Sequence, residues 1–275
     1  MSTTVPRIIY GTAWKKEATT DLVVKAVLNG FRAIDTACQP KHYREDLVGQ
    51  AISELETSHG IPRSSLYVQT KFTPIDGQDL TQPLPYEPRA STEDKVDQSI
   101  ATSLKQLGVE YIDCLVMHSP MRDKKQTLKA YRQLEQHHAR GTVRSLGISN
   151  IYSASTLRWL IEESKVKLSV VQNRWHKGNR WDWEVFNVCR ENGIMYQSFW
   201  TLSGNPSLLA HPLMRQLAEK YGITREQALF KLCSQIGITP LSGTTSEEHM
   251  KQDVEAIAMK DFEADEVEAV VNLIQ

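Results

Sequence analysis

Long apolar runs are missing from this sequence: no stretch of its 275 residues approaches the roughly 20 consecutive apolar positions that a membrane-spanning helix needs. The opening residues, MSTTVPRIIYG, have no basic segment followed by an apolar core, so no secretory leader is expected. Cysteine is scarce and scattered. Cys38, Cys114, Cys189 and Cys233 form no CxxC pair and no zinc-type cluster, which argues against a disulfide framework or a metal site and suits a reducing compartment, the cytoplasm. An excess of either charge is also missing. The 32 Lys and Arg residues against 33 Asp and Glu leave a formal charge of −1, with no footprint for nucleic acid or an anionic membrane. Without a linker or a low-complexity tract, residues 1–275 are expected to form a single domain.

What the chain does have is alternation. Short runs rich in Val, Ile, Leu and aromatics lie at 7–11, 31–35, 66–71, 111–118, 143–149, 168–173, 193–199 and 238–243. They mostly lack a strict period of two, as strands buried on both faces do. Amphipathic stretches separate them at 20–29, 44–58, 92–107, 124–140, 153–164, 181–192, 208–221 and 246–258, and the capping box TREQ opens a further helix at 224–236. Eight strand–helix units in register predict an α/β fold with a parallel sheet closed into a (β/α)8 TIM barrel. An open doubly wound sheet holding a dinucleotide would want GxGxxG after its first strand, and YGTAWKK has none. The longest irregular segment, 72–90, is of a length usually kept for function or mobility.

Barrels of this kind carry their chemistry at the C-terminal ends of the strands. That position, followed along the chain, gives Asp35, Lys71, His118, Ser149 with Asn150, Gln172 and Phe199, each directly after an apolar run. A carboxylate at a buried strand end is costly unless paired, and Lys71 is a partner for Asp35. Tyr43, a short way beyond, can reach the same rim. A phenol titrates near ~10, and an ammonium beside it makes it a stronger acid. With His118 donating from the other side, the set can protonate an oxygen that becomes negative, as carbonyl reduction requires. Such a reaction also needs a hydride, which a cofactor supplies. Ser149, Asn150 and Gln172 can hold a planar carboxamide while Phe199 offers a flat face, a combination suited to a nicotinamide.

At these residues the chain resembles the aldo-keto reductase family of NAD(P)H-dependent (β/α)8-barrel oxidoreductases over nearly its whole length. FRAIDTA, the following Tyr43 and EDLVG are similar to the signature around the family's catalytic Asp and Tyr. LYVQTK resembles the strand with the catalytic Lys, and YIDCLVMHSP the strand with the catalytic His. GISN, VVQN and YQSFW resemble the three pieces that grip the nicotinamide. The resemblance implies that Tyr43 is the general acid, that Asp35 and Lys71 tune it, and that His118 orients the carbonyl. It places Ser149, Asn150 and Gln172 on the carboxamide and Phe199, with Trp200 beside it, in the stacking position usually held by Tyr. NADP(H) is the implied cofactor, NAD(H) the alternative, and the implied partner is a small carbonyl substrate; the protein is expected to be a monomer. Trp14, Trp175, Ser119, Trp200 and the segment 72–90 are expected to line the substrate side.

The departures from the family pattern carry expectations of their own. The spacing from Asp35 to Tyr43 is longer than usual, with PKH (40–42) as the insertion. The N-terminal hairpin is expected to be absent and the C-terminal loop largely missing, leaving the pocket open on that side. At the phosphate end, Gly243 and His249 stand where many relatives have a Lys and an Arg. Thr244, Thr245 and the start of the last expected helix remain to hold an anion through hydroxyls and backbone N–H groups. Gln252 and Asp253 stand where the family binds adenine. A weaker preference for NADPH than in such relatives follows. Two other functions compete: a Schiff-base lyase with Lys71 as nucleophile, and a cofactor-sensing module on the same fold. The first leaves Ser149, Asn150 and Gln172 without a use, and the second would be marked by a lost tetrad member, yet all four are present.

Overall fold

Each strand pairs in parallel with its sequence neighbours, and the first pairs back onto the last, so the sheet closes into a barrel. In the computed structural model, which describes residues 7–275, the strands are β1 (Ile9–Gly11), β2 (Ala33–Asp35), β3 (Tyr67–Phe72), β4 (Cys114–Met117), β5 (Leu146–Ser149), β6 (Val170–Arg174), β7 (Met195–Phe199) and β8 (Ile238–Ser242). Helices cover the outside: α1 (Thr19–Leu28), α2 (Glu45–His59), α3 (Thr92–Leu107), α4 (Lys124–Ala139), α5 (Ala154–Glu163) and α6 (Trp183–Asn192) follow the first six strands in turn. After β7 come α7 (Pro206–Leu209), α8 (Pro212–Tyr221) and α9 (Arg225–Gln235), and after β8 come α10 (Glu247–Ala258) and α11 (Ala264–Ile274). The expected (β/α)8 barrel is the fold. The expectation about a leader bears on residues 1–6, which lie outside the described residues. Among the described residues no helix is long and apolar enough to cross a membrane.

Local chemistry sets the boundaries. Ser91 caps α3 by accepting from the Asp94 amide at 3.1 Å, and Gly108 ends it in the left-handed region at φ 64°. Thr224 and Gln227 form the expected capping box at the start of α9. Three expectations need correction. The helix expected at 208–221 is two, because Pro212 has no N–H to continue α7 and instead begins α8. The helix expected from 181 begins at Trp183, since Arg180, Trp181 and Asp182 all have positive φ in the turn before it. The strand expected at 111–118 narrows to Cys114–Met117, with Ile112 making one isolated bridge to Val143. Helix α11 was not expected at all, although Glu263 and Glu266 cap it and Val270 and Ile274 give it a buried stripe.

The alternation within each strand decides what faces the barrel interior. On β3, Val68 and Phe72 pack outward among apolar side chains under the helices, and Tyr67 joins Ile9, Ala33, Cys114, Val116 and Val170 in an apolar cluster drawn from the barrel strands. Gln69 and Lys71, two and four residues on, share Tyr67's face and rise above that plug. The interior is therefore apolar in its lower part and polar above. Outside, α2 and α3 meet backbone to backbone at Gly49, where an added Cβ would lie 2.1 Å from the Gln106 carbonyl oxygen.

Candidate active site

Adjacent strands β2, β3 and β4 deliver Asp35, Lys71 and His118 to one rim. Lys71 Nζ donates to Asp35 Oδ1 at 2.7 Å, to Asp35 Oδ2 at 2.6 Å and to the Thr36 carbonyl at 2.9 Å. Both side chains are buried, so each answers the other's desolvation cost. Burial pushes the Lys71 ammonium down, but Asp35 and Tyr43 push it up further, and the net direction is up. Lys71 is a charged partner rather than a nucleophile.

Tyr43 reaches this pair despite the longer spacing. The Gln39 carbonyl accepts from both the His42 amide (3.2 Å) and the Tyr43 amide (3.1 Å), a turn that loops out residues 40–42 and returns Tyr43 to the rim. The inserted His42 then packs its ring on Trp14, with centroids 4.0 Å apart, and its carbonyl accepts from the Trp14 amide. Lys71 Nζ lies 5.1 Å from the centre of the Tyr43 ring, which meets His118 edge-on with centroids 6.1 Å apart. Burial pushes the Tyr43 phenol up and Lys71 pulls it down, while Asp35 adds to the rise. The expected acidifying pull of Lys71 is there, but burial outweighs it and the net direction is up. A phenol in that state keeps its proton at neutral pH. Burial, then Lys71 and His42, hold the His118 imidazole well below its usual range, so the ring is neutral.

Beneath this group is a closed polar layer. Asp35 Oδ1 also accepts from Gln69 Nε2 at 2.7 Å and from Gln172 Nε2 at 2.9 Å. Gln69 and Gln197 exchange a reciprocal pair of bonds at 2.9 Å each, and Gln197 Oε1 accepts from Gln172 Nε2 at 2.9 Å. Both N–H bonds of Gln172 are thereby spent, and its Oε1 is left as an acceptor. Ser149 pairs in register with Gln172 and donates to its carbonyl at 2.6 Å. Asn150, held at φ 53°, donates to the His118 carbonyl at 2.9 Å and to Ser149 Oγ at 3.2 Å. Phe199 sits in register with Arg174, whose guanidinium stacks 4.1 Å over Trp200.

A cleft of about 1140 Å³ runs across the rim. It is large for a single small ligand and roomy enough for a dinucleotide with a substrate beside it. Asp35, Tyr43, His118, Ser149, Asn150, Gln172, Phe199 and Trp200 border one end with Trp14 and Ser119, while Gly243, Thr244, Thr245, His249, Gln252 and Asp253 border the other. At that second end Thr244 Oγ1 accepts from the Ser246 amide at 3.1 Å, and Ser246 caps α10. Asp253 borders the cleft with its carboxyl occupied, accepting from Ser242 Oγ at 2.6 Å, and burial pushes it up to about 6. Lys71 lies beneath the cleft floor, behind Asp35.

Trp175 is elsewhere. It is fully buried beside Trp181 and outside the cleft lining, so it cannot touch a ligand there. From the segment 72–90, Thr73 and Gly77 reach the cleft, whereas residues 80–88 flank a separate shallow groove with Gln98. Four further participants escaped the sequence reading. Gln69 and Gln197 were legible in principle, each standing two residues before a chosen strand-end residue and so on its face. Arg174 stands two residues past Gln172 in the same way. Lys15 had no such signal: its ammonium donates to the Gly243 carbonyl and is the atom nearest to where a Gly243 side chain would begin, at 4.0 Å.

A protonated phenol and a neutral imidazole at one opening, with a buried ammonium beneath them, can give a proton to an oxygen and stabilise what remains. Comparison with known proteins identifies the family. The family model described as "Aldo/keto reductase family" matches residues 7–275. Among curated relatives, 2,5-diketo-D-gluconic acid reductase B of Corynebacterium sp. (strain SHS752001) is 28% identical over 252 residues, covering 91% of this chain and 82% of that protein. Glyoxal reductase of Bacillus subtilis (strain 168) is 27% identical over 244 residues, covering 89% and 78%. The crystal structure of a Bombyx mori aldo-keto reductase in complex with NADP superposes with a TM-score of 0.81 at 23% identity, over 98% of this chain and 89% of that one. The chain belongs to the aldo/keto reductase family of oxidoreductases.

Proposed function

We propose that the protein reduces an aldehyde or ketone to the alcohol with a nicotinamide cofactor, NADP(H) in preference to NAD(H). The observation that carries this reading is the buried Asp35–Lys71 pair beneath Tyr43, with neutral His118 opposite. A bound nicotinamide supplies the hydride that the carbonyl carbon takes up. The Tyr43 hydroxyl gives its proton to the carbonyl oxygen, the Lys71 ammonium stabilises the phenolate left behind, and solvent in the open cleft returns the proton. His118 holds the carbonyl oxygen. One carbonyl, one reduced cofactor and one proton become one alcohol and one oxidised cofactor.

The residues present fit the cofactor. Gln172 Oε1 suits the amino side of a carboxamide; the Ser149 hydroxyl and Asn150 Nδ2, which in this structure donate to the Gln172 and His118 carbonyls, suit its oxygen once one of them turns from that acceptor, and Phe199 offers the stacking face. Lys15, with the hydroxyls of Thr244 and Thr245 and the start of α10, suits the phosphates. Trp14, His42, Ser119 and Trp200 suit the substrate side. Lys71 engaged by three acceptors weighs against a Schiff-base lyase. We read residues 1–275 as one domain acting as a monomer in the cytoplasm, where its four buried free thiols stay reduced.

The test is oxidation of NADPH and NADH against a panel of aldehydes, ketones and sugars. Carbonyl-dependent loss of reduced cofactor is expected, faster with NADPH. Tight nucleotide binding with no turnover of any carbonyl would favour the cofactor-sensing alternative instead.

A further inference from the structure

Thr73 stands two residues past Lys71, just beyond the end of β3, and is buried. Its Oγ1 lies 2.7 Å from His118 Nδ1. A threonine hydroxyl has one proton to place, and among the described residues its sole hydrogen-bond partner is that ring nitrogen. Were the ring proton on Nδ1, the hydroxyl would accept it and leave its own proton without a protein acceptor in a buried position, which is costly. The arrangement that satisfies both groups has Thr73 donating to Nδ1. The ring proton then sits on Nε2, which has no hydrogen-bond partner among the described residues, and His118 borders the cleft.

The hydroxyl is not free to turn elsewhere. A β-branched side chain is stiff about its first torsion, and the Thr73 methyl packs against Gly77. A Cβ built on Gly77 would lie 2.9 Å from Thr73 Cγ2, so the methyl occupies space that only a glycine leaves open. Gly77 is held there by the short turn Ile75–Gly77, closed by its amide on the Pro74 carbonyl at 2.9 Å. The Thr73 carbonyl is fixed independently, accepting from the Tyr86 hydroxyl at 2.7 Å. The bond to the Thr73 carbonyl, the packing of its methyl on Gly77 and the short Oγ1–Nδ1 contact are all consistent with Oγ1 held at the ring.

We propose that Thr73 is a positioning residue for the reaction: its hydroxyl sets the tautomer and ring plane of His118 so that Nε2–H meets the substrate's carbonyl oxygen. A neutral imidazole has one N–H. On Nε2 it donates to the oxygen that gains charge; on Nδ1 it would leave a lone pair facing that oxygen, which repels it. The catalytic consequence rests on the carbonyl-reduction reading above, whereas the hydrogen bond and the tautomer do not.

Two measurements separate these parts. Long-range proton–nitrogen correlation spectra of the cofactor-free, nitrogen-15-labelled protein, with the His118 signals assigned by their loss in His118→Asn, report which nitrogen is protonated. Nε2–H is expected in the wild type, and a proton on Nδ1 overturns the proposal whether or not the protein is a reductase. Thr73→Val keeps the shape and removes the hydroxyl. Its kcat/KM for a carbonyl substrate should fall about 10- to 100-fold, below the ~10²–10³ typical of deleting an oxyanion donor outright, because the donor is misdirected rather than removed. Cofactor affinity should stay unchanged, and Thr73→Ser should restore kcat/KM to within a few-fold. A valine variant with wild-type kinetics, or a serine variant as impaired as the valine one, overturns it.

Discussion

At one end of the cleft, side chains from β2, β3, β6 and β7 lock into a buried layer in which Asp35, Gln69, Lys71, Gln172 and Gln197 all find partners within the barrel. At the other, Gly243, Thr245 and His249 are exposed, and the cation nearest to Gly243 comes from the opposite side of the barrel closure, on the β1–α1 connection. The two ends obey different constraints. Proton delivery needs atoms held within fractions of an ångström, and strand ends braced by cross-strand hydrogen bonds provide that. Anion binding is a weaker geometric demand, since hydroxyls, helix N-termini and any nearby ammonium serve. On the proposed function, the first end, where proton transfer would occur, should therefore fail sharply when altered, and the second, which would hold the phosphates, gradually.

Tyr43→Phe should break the chemical end most severely, lowering kcat by ~10²–10⁴-fold while nucleotide titrations stay near wild type. Retained turnover would mean that another group gives the proton. Lys71→Met should be nearly as damaging to rate. It should also lower unfolding free energy by about 3 kcal/mol, because it leaves Asp35 buried without its cation. Unchanged melting would show that the pair is not formed in solution.

At the phosphate end, Asp253 offers a smaller and pH-dependent effect. Burial raises it to about 6, so the folded state binds that proton more tightly than the unfolded chain does. The sign follows: this group's stabilising contribution is present at low pH and is lost as pH rises towards and past 6. Asp253→Asn keeps an acceptor for Ser242 and removes the charge, so denaturation curves should show it more stable than wild type at pH 8, by no more than about 3 kcal/mol, and little different at pH 4. Smaller again, Lys15→Met should weaken both NADPH and NADH by roughly tenfold, the loss of one charge-assisted contact. His249→Arg should widen the NADPH preference a few-fold without touching NADH, on the proposal that residue 249 faces the 2′-phosphate. Fluorescence titration of both nucleotides distinguishes the two.

The same contrast explains what could be read from the sequence. That Asp35, Lys71, His118 and Gln172 meet at one rim was legible because each ends an apolar run, and a barrel gathers those ends on one face. Tyr43 was legible by type, though not by spacing; the Gln39 turn that absorbs residues 40–42 has no pattern in sequence. Trp175 misled because an aromatic past a strand end reads as a rim residue, whereas the chain turns there and buries it beside Trp181. Lys15 was invisible because its role depends on β1 lying against β8, a closure contact between residues far apart in the chain. Helix α11 was missed despite a readable cap and apolar stripe.

Direct hydride transfer to a carbonyl carbon is the central claim, and isotope tracing tests it most directly. NADPH carrying deuterium on one or the other face of nicotinamide C4 would be incubated with a carbonyl substrate that the enzyme turns over. With one of the two labelled cofactors, the product alcohol should carry one deuterium on its carbinol carbon, with none lost to solvent. Deuterium in the solvent, or an unlabelled alcohol from both cofactors, would contradict the account.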